Sequence, residues 1–212
     1  MTRTIQYVFW DSDNTLVDTA SHHWHKHAET LLALGIRLDP QQDGERIYTN
    51  NGAQNWAWLS AERGLLLPLE EYLNAIDTWY FAHIQDIQIR PGVTDAIDMF
   101  SQANIKQAVV SNGRRRSVMA ALNAKNLTPR FAFILCKEDY IGRKPEPAPY
   151  LAAKTRMGQI VAHNIDPASC LVIEDDPKGV ESGKSAGMAV LHRPLGRDNT
   201  ADFIEACRDY LQ

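Results

Sequence analysis

Two textures of hydrophobic and polar positions alternate along the chain of 212 residues. Short runs that are apolar, β-branched and aromatic recur at 5–10, 106–111, 131–136, 170–174 and 188–192. Such runs predict strands covered by helices on both faces, the pattern of a parallel sheet. Between them the apolar period lengthens. Val93, Ala96, Ile97 and Phe100 fall at i, i+3, i+4 and i+7, and further helices are predicted at 117–125, 148–157, up to 186, and 202–211. Strands alternating with helices of this length make βαβ units. Their crossovers are right-handed, and because the strands are parallel every carboxyl end lies at one edge of the sheet.

Residues 19 to about 88 read differently. Helices are predicted at 19–35, with Trp24, Ala28, Leu31 and Leu32 on one face, at 53–63, and at 69–84, with Tyr72, Leu73, Ile76, Tyr80 and Ile84 on one side. Gly35 and Gly64 supply stops for the first two. No strand is predicted there. The organisation expected is an α/β core of residues 1–17 and 89–212, a Rossmann-like parallel sheet. An all-helical module, 18–88, is inserted after the first strand and expected to overhang the sheet edge.

Composition narrows the function. With 22 Lys and Arg against 26 Asp and Glu, the net charge of −4 argues against nucleic acid or an anionic membrane as the main partner. Cys136, Cys170 and Cys207 are odd in number and widely spaced, which suits ordinary thiols in a reducing compartment. No signal peptide or membrane-length apolar run is readable, so a cytoplasmic protein is expected. The oligomeric state is not legible.

The chemistry concentrates where strands end. Asp11 and Asp13 follow the first strand, Ser111 and Asn112 a later one, Lys144 a third loop, and Glu174, Asp175 and Asp176 a fourth. Ligands of open α/β sheets bind at such edges. Asp11 and Asp13 are close enough to repel by roughly 4 kcal/mol at an effective dielectric near 20, which a cation would relieve. One carboxylate can attack phosphorus, a second acid can move protons, and a hydroxyl, backbone amides and an ammonium can hold the phosphoryl oxygens. Carboxylates without His or Cys are hard oxygen ligands that favour Mg²⁺.

The stretch from Trp10 to Asp18 resembles the first motif, D-x-D-G-T-L/V-x-D, of the haloacid dehalogenase superfamily. Ser111-Asn112-Gly113 is similar to its second motif and Lys144-Pro145-Glu146-Pro147 to its third. Glu174-Asp175-Asp176-Pro177-Lys178-Gly179-Val180, running into Ala186-Gly187-Met188, is similar to its fourth. The inserted helices match the family's small cap. The resemblance implies Asp11 as nucleophile and Mg²⁺ ligand. It implies Asp13 as general acid/base with its carbonyl on the metal, Ser111 and the Asn112 N–H on the phosphoryl group, and Lys144 between that group and Asp11. Asp175 would complete the metal site, with Glu174 nearby or acting through water. Asn14 replaces the usual Gly, and Asn is the next-best residue for a left-handed turn. Asp176 replaces the usual Ser. An acid at position 13 is absent from the family's dehalogenases, so phosphate esters are favoured.

Other features compete with this reading. Gly179–Ser185 is one residue short of a P-loop, and Arg114-Arg115-Arg116 reads first as a solvated helix start. His22, His23, His25 and His27 crowd one helix, and His23 and His27 share a face. Asp18-Thr19-Ala20 followed by His23 also resembles β-phosphoglucomutase, in which a His joins the cap to the acid/base Asp. Asn51, Gln54, Asn55 and Trp56 stand where the family has its specificity loop, and their amides suit sugar hydroxyls. The mutase pattern has an Arg where Asn55 stands. The function expected is a Mg²⁺-dependent phosphatase acting on a sugar or polyol phosphate. A hexose-phosphate mutase is the first alternative, and a binding protein with a vestigial site the second.

Overall fold

The computed structural model describes residues 5–211 and divides into two compact units. One comprises residues up to Asp18 together with the chain from Gln88 onward, and the other is Thr19–Ile87.

The first unit is built on five parallel strands, β1 (Tyr7–Trp10), β4 (Lys106–Val110), β5 (Ile134–Leu135), β6 (Cys170–Glu174) and β7 (Ala189–His192). Their order in the sheet is β5-β4-β1-β6-β7. In chain order this is third, second, first, fourth, fifth, the doubly wound arrangement whose order reverses at β1. Every residue of β1 and β6 is buried, as expected of central strands covered on both faces. Helices α5 (Val93–Gln102), α6 (Arg115–Ala124), α7 (Ala148–Val161), α8 (Pro177–Ser185) and α9 (Thr200–Arg208) supply the cover. One core cluster packs Tyr7, Phe9, Ala108 and Val172 with Tyr150, Ala153 and Met157 of α7. In the interior the Trp10 indole donates to Gln107 Oε1 at 2.9 Å, while Gln107 Nε2 donates to the Ile97 carbonyl at 2.9 Å. The buried amide is thereby satisfied at both ends.

Two features depart from the expected elements. The strand predicted at 131–136 narrows to Ile134–Leu135 at the sheet edge, preceded by a 3₁₀ turn at Thr128–Arg130. A small antiparallel ribbon also joins β2 (Val17–Asp18) to β3 (Gln88–Ile89), two residues per strand and too short for periodicity to reveal.

The second unit is helical: α1 (Ala20–Ala33), α2 (Pro40–Thr49), α3 (Gly52–Glu62) and α4 (Leu69–Ala82). Leu31, Leu38, Ile47, Trp58, Leu59, Leu65, Tyr72 and Ile76 form its core. Helix α2 was not expected, because few of its residues are apolar. Its start is nevertheless written in the sequence, since Asp39 Oδ1 accepts from the Gln41 and Gln42 amides and Pro40 opens the helix. No helix among the described residues is long and apolar enough to cross a membrane.

Candidate active site

Strand ends bring the chemistry together. Asp11 follows β1, and its amide still donates to the Ile173 carbonyl of β6 at 3.0 Å. Ser111 follows β4, its amide on the Leu135 carbonyl at 2.9 Å, and Glu174 closes β6. Because these strands are parallel and adjacent, the three residues lie at one edge of the sheet. They line a crevice of about 170 Å³ with Asp13, Asn14, Asn112, Gly113, Lys144, Asp175, Asp176, Lys178 and Gly179. Asn14 takes φ 57°, the left-handed conformation expected where the family has Gly.

Lys144 is the hub. Its Nζ lies 2.5 Å from Asp11 Oδ1 and 2.6 Å from Glu174 Oε1, and donates to the Val110 carbonyl at 2.8 Å. It is 5 % exposed. Burial alone would lower its pKa, but Asp11 and Glu174 overcome this and hold it well above the ordinary value. The loop carrying it is fixed by Asn112, whose Oδ1 accepts from the Lys144 amide at 3.1 Å. Sequence reasoning gave Asn112 only a backbone role, so this side-chain contact was missed.

Among the described residues, one group of three or more His, Cys, Asp or Glu converges as metal ligands do. It is Asp11, Glu174 and Asp175, with one ligand atom from each within 4.8 Å of the others. Burial raises Asp11, with Lys144 opposing and Asp13 adding to the rise. Burial and then Asp11 push Glu174 up to about 8, and the same two causes push Asp175 up to about 7. Three clustered carboxylates, of which Asp11 and Glu174 share the Lys144 ammonium, leave excess negative charge, and their donors are all hard oxygens. The set fits Mg²⁺. Glu174 stands inside this group rather than beyond it. The Asp13 carboxylate lies beside Gly113, where a Cβ would sit 3.3 Å from Asp13 Oδ2 and 3.1 Å from Ser111 Oγ.

Supporting residues that sequence reasoning missed surround the acids. Thr15 Oγ1 donates to Asp175 Oδ1 at 2.9 Å, and His192 Nε2 donates to the Asp175 carbonyl at 2.9 Å. Tyr150 donates to Glu174 Oε1 at 2.5 Å. Gly179 admits Glu174, because a Cβ there would lie 2.0 Å from the carboxylate carbon. Thr15, inside the first motif, and the glycine, inside the fourth, carried a sequence signal; His192 and Tyr150 did not. Asp176 caps α8, its Oδ1 accepting from the Lys178 amide at 2.6 Å. Ser and Asp both suit an N-cap, which accounts for the exchange at this position.

In the helical unit the remaining candidates have internal partners. Asn51 and Gln54 form a reciprocal capping box at the start of α3. Asn55 is fully buried and donates from Nδ2 to the Ile47 carbonyl at 3.2 Å. Trp56 donates to the Leu67 carbonyl at 2.8 Å. The four histidines of α1 do not converge. His22 donates to the Tyr80 carbonyl, His25 to the Ser21 carbonyl, His27 pairs with the Tyr72 hydroxyl, and the His23 ring lies 5.9 Å from that of Tyr80. The P-loop-like stretch, Gly179–Ser185, lies entirely within α8, and Arg115 pairs with Asp139. All three cysteines are free and buried.

The profile of the haloacid dehalogenase-like hydrolases matches residues 8–192. The chain is 26% identical over 189 residues to the 6-phosphogluconate phosphatase of Escherichia coli, covering 89% of this chain and 82% of that one. It is 28% identical over 194 residues to the N-acetylmuramic acid 6-phosphate phosphatase of Pseudomonas aeruginosa, covering 86% and 79%. Among solved structures, CbbY of Rhodobacter sphaeroides in complex with phosphate has a similar fold, with a TM-score of 0.73 at 23% identity over 92% of this chain and 88% of that one. The chain belongs to the haloacid dehalogenase-like hydrolase family and is an enzyme of phosphatase type.

Proposed function

We propose that the enzyme is a Mg²⁺-dependent phosphatase that hydrolyses a small sugar or polyol phosphate through an aspartyl-phosphate intermediate. The observation that carries this reading is Asp11, buried at the sheet edge with its carboxylate 2.5 Å from the Lys144 ammonium and beside two further acids. Asp11, Glu174 and Asp175 would hold Mg²⁺ through their carboxylates, and Asp13 through its carbonyl. When bound, the ion offsets the negative charge of the site and of the phosphoryl oxygens.

The other steps belong to the chain's own residues. An Asp11 oxygen attacks phosphorus, and the bond to the substrate's ester oxygen breaks. Asp13, protonated, gives its proton to that oxygen as the alcohol leaves. Asp13, now a carboxylate, takes a proton from the water that attacks the aspartyl phosphate, releasing inorganic phosphate and restoring Asp11. Ser111 Oγ, the Asn112 amide and Lys144 stabilise the charge on the equatorial oxygens. The crevice of about 170 Å³ suits a phosphoryl group with a small polar body.

The substrate class rests on two kinds of support. Two relatives are named for sugar-derived phosphates. Asn55, which stands where the mutase pattern has Arg, is buried on the Ile47 carbonyl and presents no cation for a second phosphate. The helical unit is the cap in this reading, and burial of every cysteine suits a reducing cytoplasm. Phosphate release across a panel of sugar, polyol and nucleotide phosphates tests the proposal. Mg²⁺-dependent release from sugar or polyol phosphates is expected, whereas isomerisation that needs an activating bisphosphate would establish the mutase instead. Asp11→Asn should reduce turnover at least about 100-fold with an unchanged circular dichroism spectrum.

A further inference from the structure

Tyr150 sits on α7 and is fully buried among Phe9, Ala153 and Met157. Phenylalanine would fill nearly the same space, so packing does not explain the hydroxyl. Its hydrogen bond goes to Glu174 Oε1 at 2.5 Å. The Lys144 ammonium reaches the same oxygen at 2.6 Å and lies 5.0 Å from the centre of the Tyr150 ring. Two donors thus converge on one carboxylate oxygen. The Gly179 backbone also closes on the same carboxylate.

We propose that Tyr150 is a positioning residue for the divalent-cation site: with Lys144 it occupies Glu174 Oε1, which reserves Oε2 for an ion shared with Asp11 and Asp175. The inference rests on the cation site proposed above and adds the residue that sets its geometry. A carboxylate with one oxygen accepting two hydrogen bonds cannot rotate freely, and its remaining lone pairs keep a fixed direction. Removing the phenol oxygen leaves Glu174 held from one side by Lys144 alone, free to turn into the Lys144–Asp11 pair.

The test compares the wild-type chain with Tyr150→Phe by electron paramagnetic resonance titration of Mn²⁺ as the probe ion. Thermal unfolding in chelator is measured in parallel. The variant is expected to bind Mn²⁺ about 10-fold to 100-fold more weakly, the usual effect of losing a residue that orients a ligand. Its unfolding midpoint in chelator should stay close to wild type, and kcat should recover at saturating Mg²⁺ with the KM for an aryl phosphate unchanged. Equal Mn²⁺ affinity in the two proteins overturns the role of Tyr150 while leaving the cation site intact. A large drop of the midpoint in chelator overturns it too, because weaker binding would then reflect general loosening. A wild-type protein that binds no Mn²⁺ removes the inference and the cation site together.

Discussion

At the scale of single residues, the site is governed by how closely backbone and acid approach. Gly179 lies in the first turn of α8, where alanine is ordinarily the better residue by roughly 1 kcal/mol. Here a Cβ would stand 2.0 Å from both the carboxylate carbon and Oε1 of Glu174. Glu174 cannot yield easily, because Lys144 and Tyr150 both hold its Oε1. Gly179→Ala should therefore raise the Mg²⁺ concentration for half-maximal activity about 10-fold or more, and forfeit the stability that helix propensity alone would add. Titration of activity against Mg²⁺ together with a thermal scan checks this. A more stable variant with the wild-type Mg²⁺ requirement would show that the carboxylate has room to move. The same residues mark how far the sequence could be read. Asp11, Lys144, Glu174 and Asp175 carried the charge pattern of phosphoryl chemistry and could be placed at strand ends. Tyr150 could not, since a buried aromatic on a helix has the same sequence signature whether or not its hydroxyl reaches an acid; Thr15 stood inside the first motif, but nothing there tied its hydroxyl to Asp175.

At the scale of elements, ends rather than middles decide the outcome. Helix α7, which carries Tyr150, runs four residues beyond its predicted end at 157 and finishes at Ala162 with φ 58°. An L-residue in this conformation costs roughly 1–2 kcal/mol, and the greater backbone freedom of glycine in the unfolded chain returns about 0.5–1 kcal/mol of that. Ala162→Gly should stabilise the protein by about 0.5–1 kcal/mol, a rise in Tm of about 1–4 °C for a chain of this size. Calorimetry at fixed Mg²⁺ measures it, and an unchanged or lower Tm would contradict the account. Element ends also explain what was misread. Core strands such as β1 and β6 were legible because burial on both faces leaves an uninterrupted apolar run. Strand β5 was overextended because apolar residues flank its paired positions, and α2 was missed because its signal is a cap and not a stripe. Asn51 and Gln54 were assigned to ligand recognition from their place in the family pattern. Their three-residue spacing ahead of Trp58 and Leu59 was equally a capping box, and the helix start uses both amides.

At the scale of the whole molecule, each unit has its own core and its own charge problem. The α/β unit gathers three acids, Asp11 and Glu174 buried and Asp175 half-buried, so Mg²⁺ should stabilise it by mass action, about 2.7 kcal/mol at one hundred times the dissociation constant. The helical unit instead buries a neutral imidazole. His27 is 4 % exposed, its Nδ1 lies 2.6 Å from the Tyr72 hydroxyl, and Lys26 and His23 are its charged or titratable neighbours. Burial first, then those two neighbours, pulls its pKa from 6.5 down to about 3. The folded state therefore binds fewer protons than the unfolded state between those limits. The associated stability is present above about pH 6.5 and lost as pH falls toward 3, with a slope approaching 1.4 kcal/mol per pH unit. Moving from pH 7.5 to pH 5 should cost the wild type about 2 kcal/mol more than His27→Gln, which has nothing to protonate at that position. Urea unfolding of both proteins at the two pH values isolates the imidazole, because the carboxylates they share contribute equally and cancel in the difference. Equal losses in the two proteins would mean that this imidazole titrates alike in the folded and unfolded chain, and would overturn its lowered pKa in the folded state.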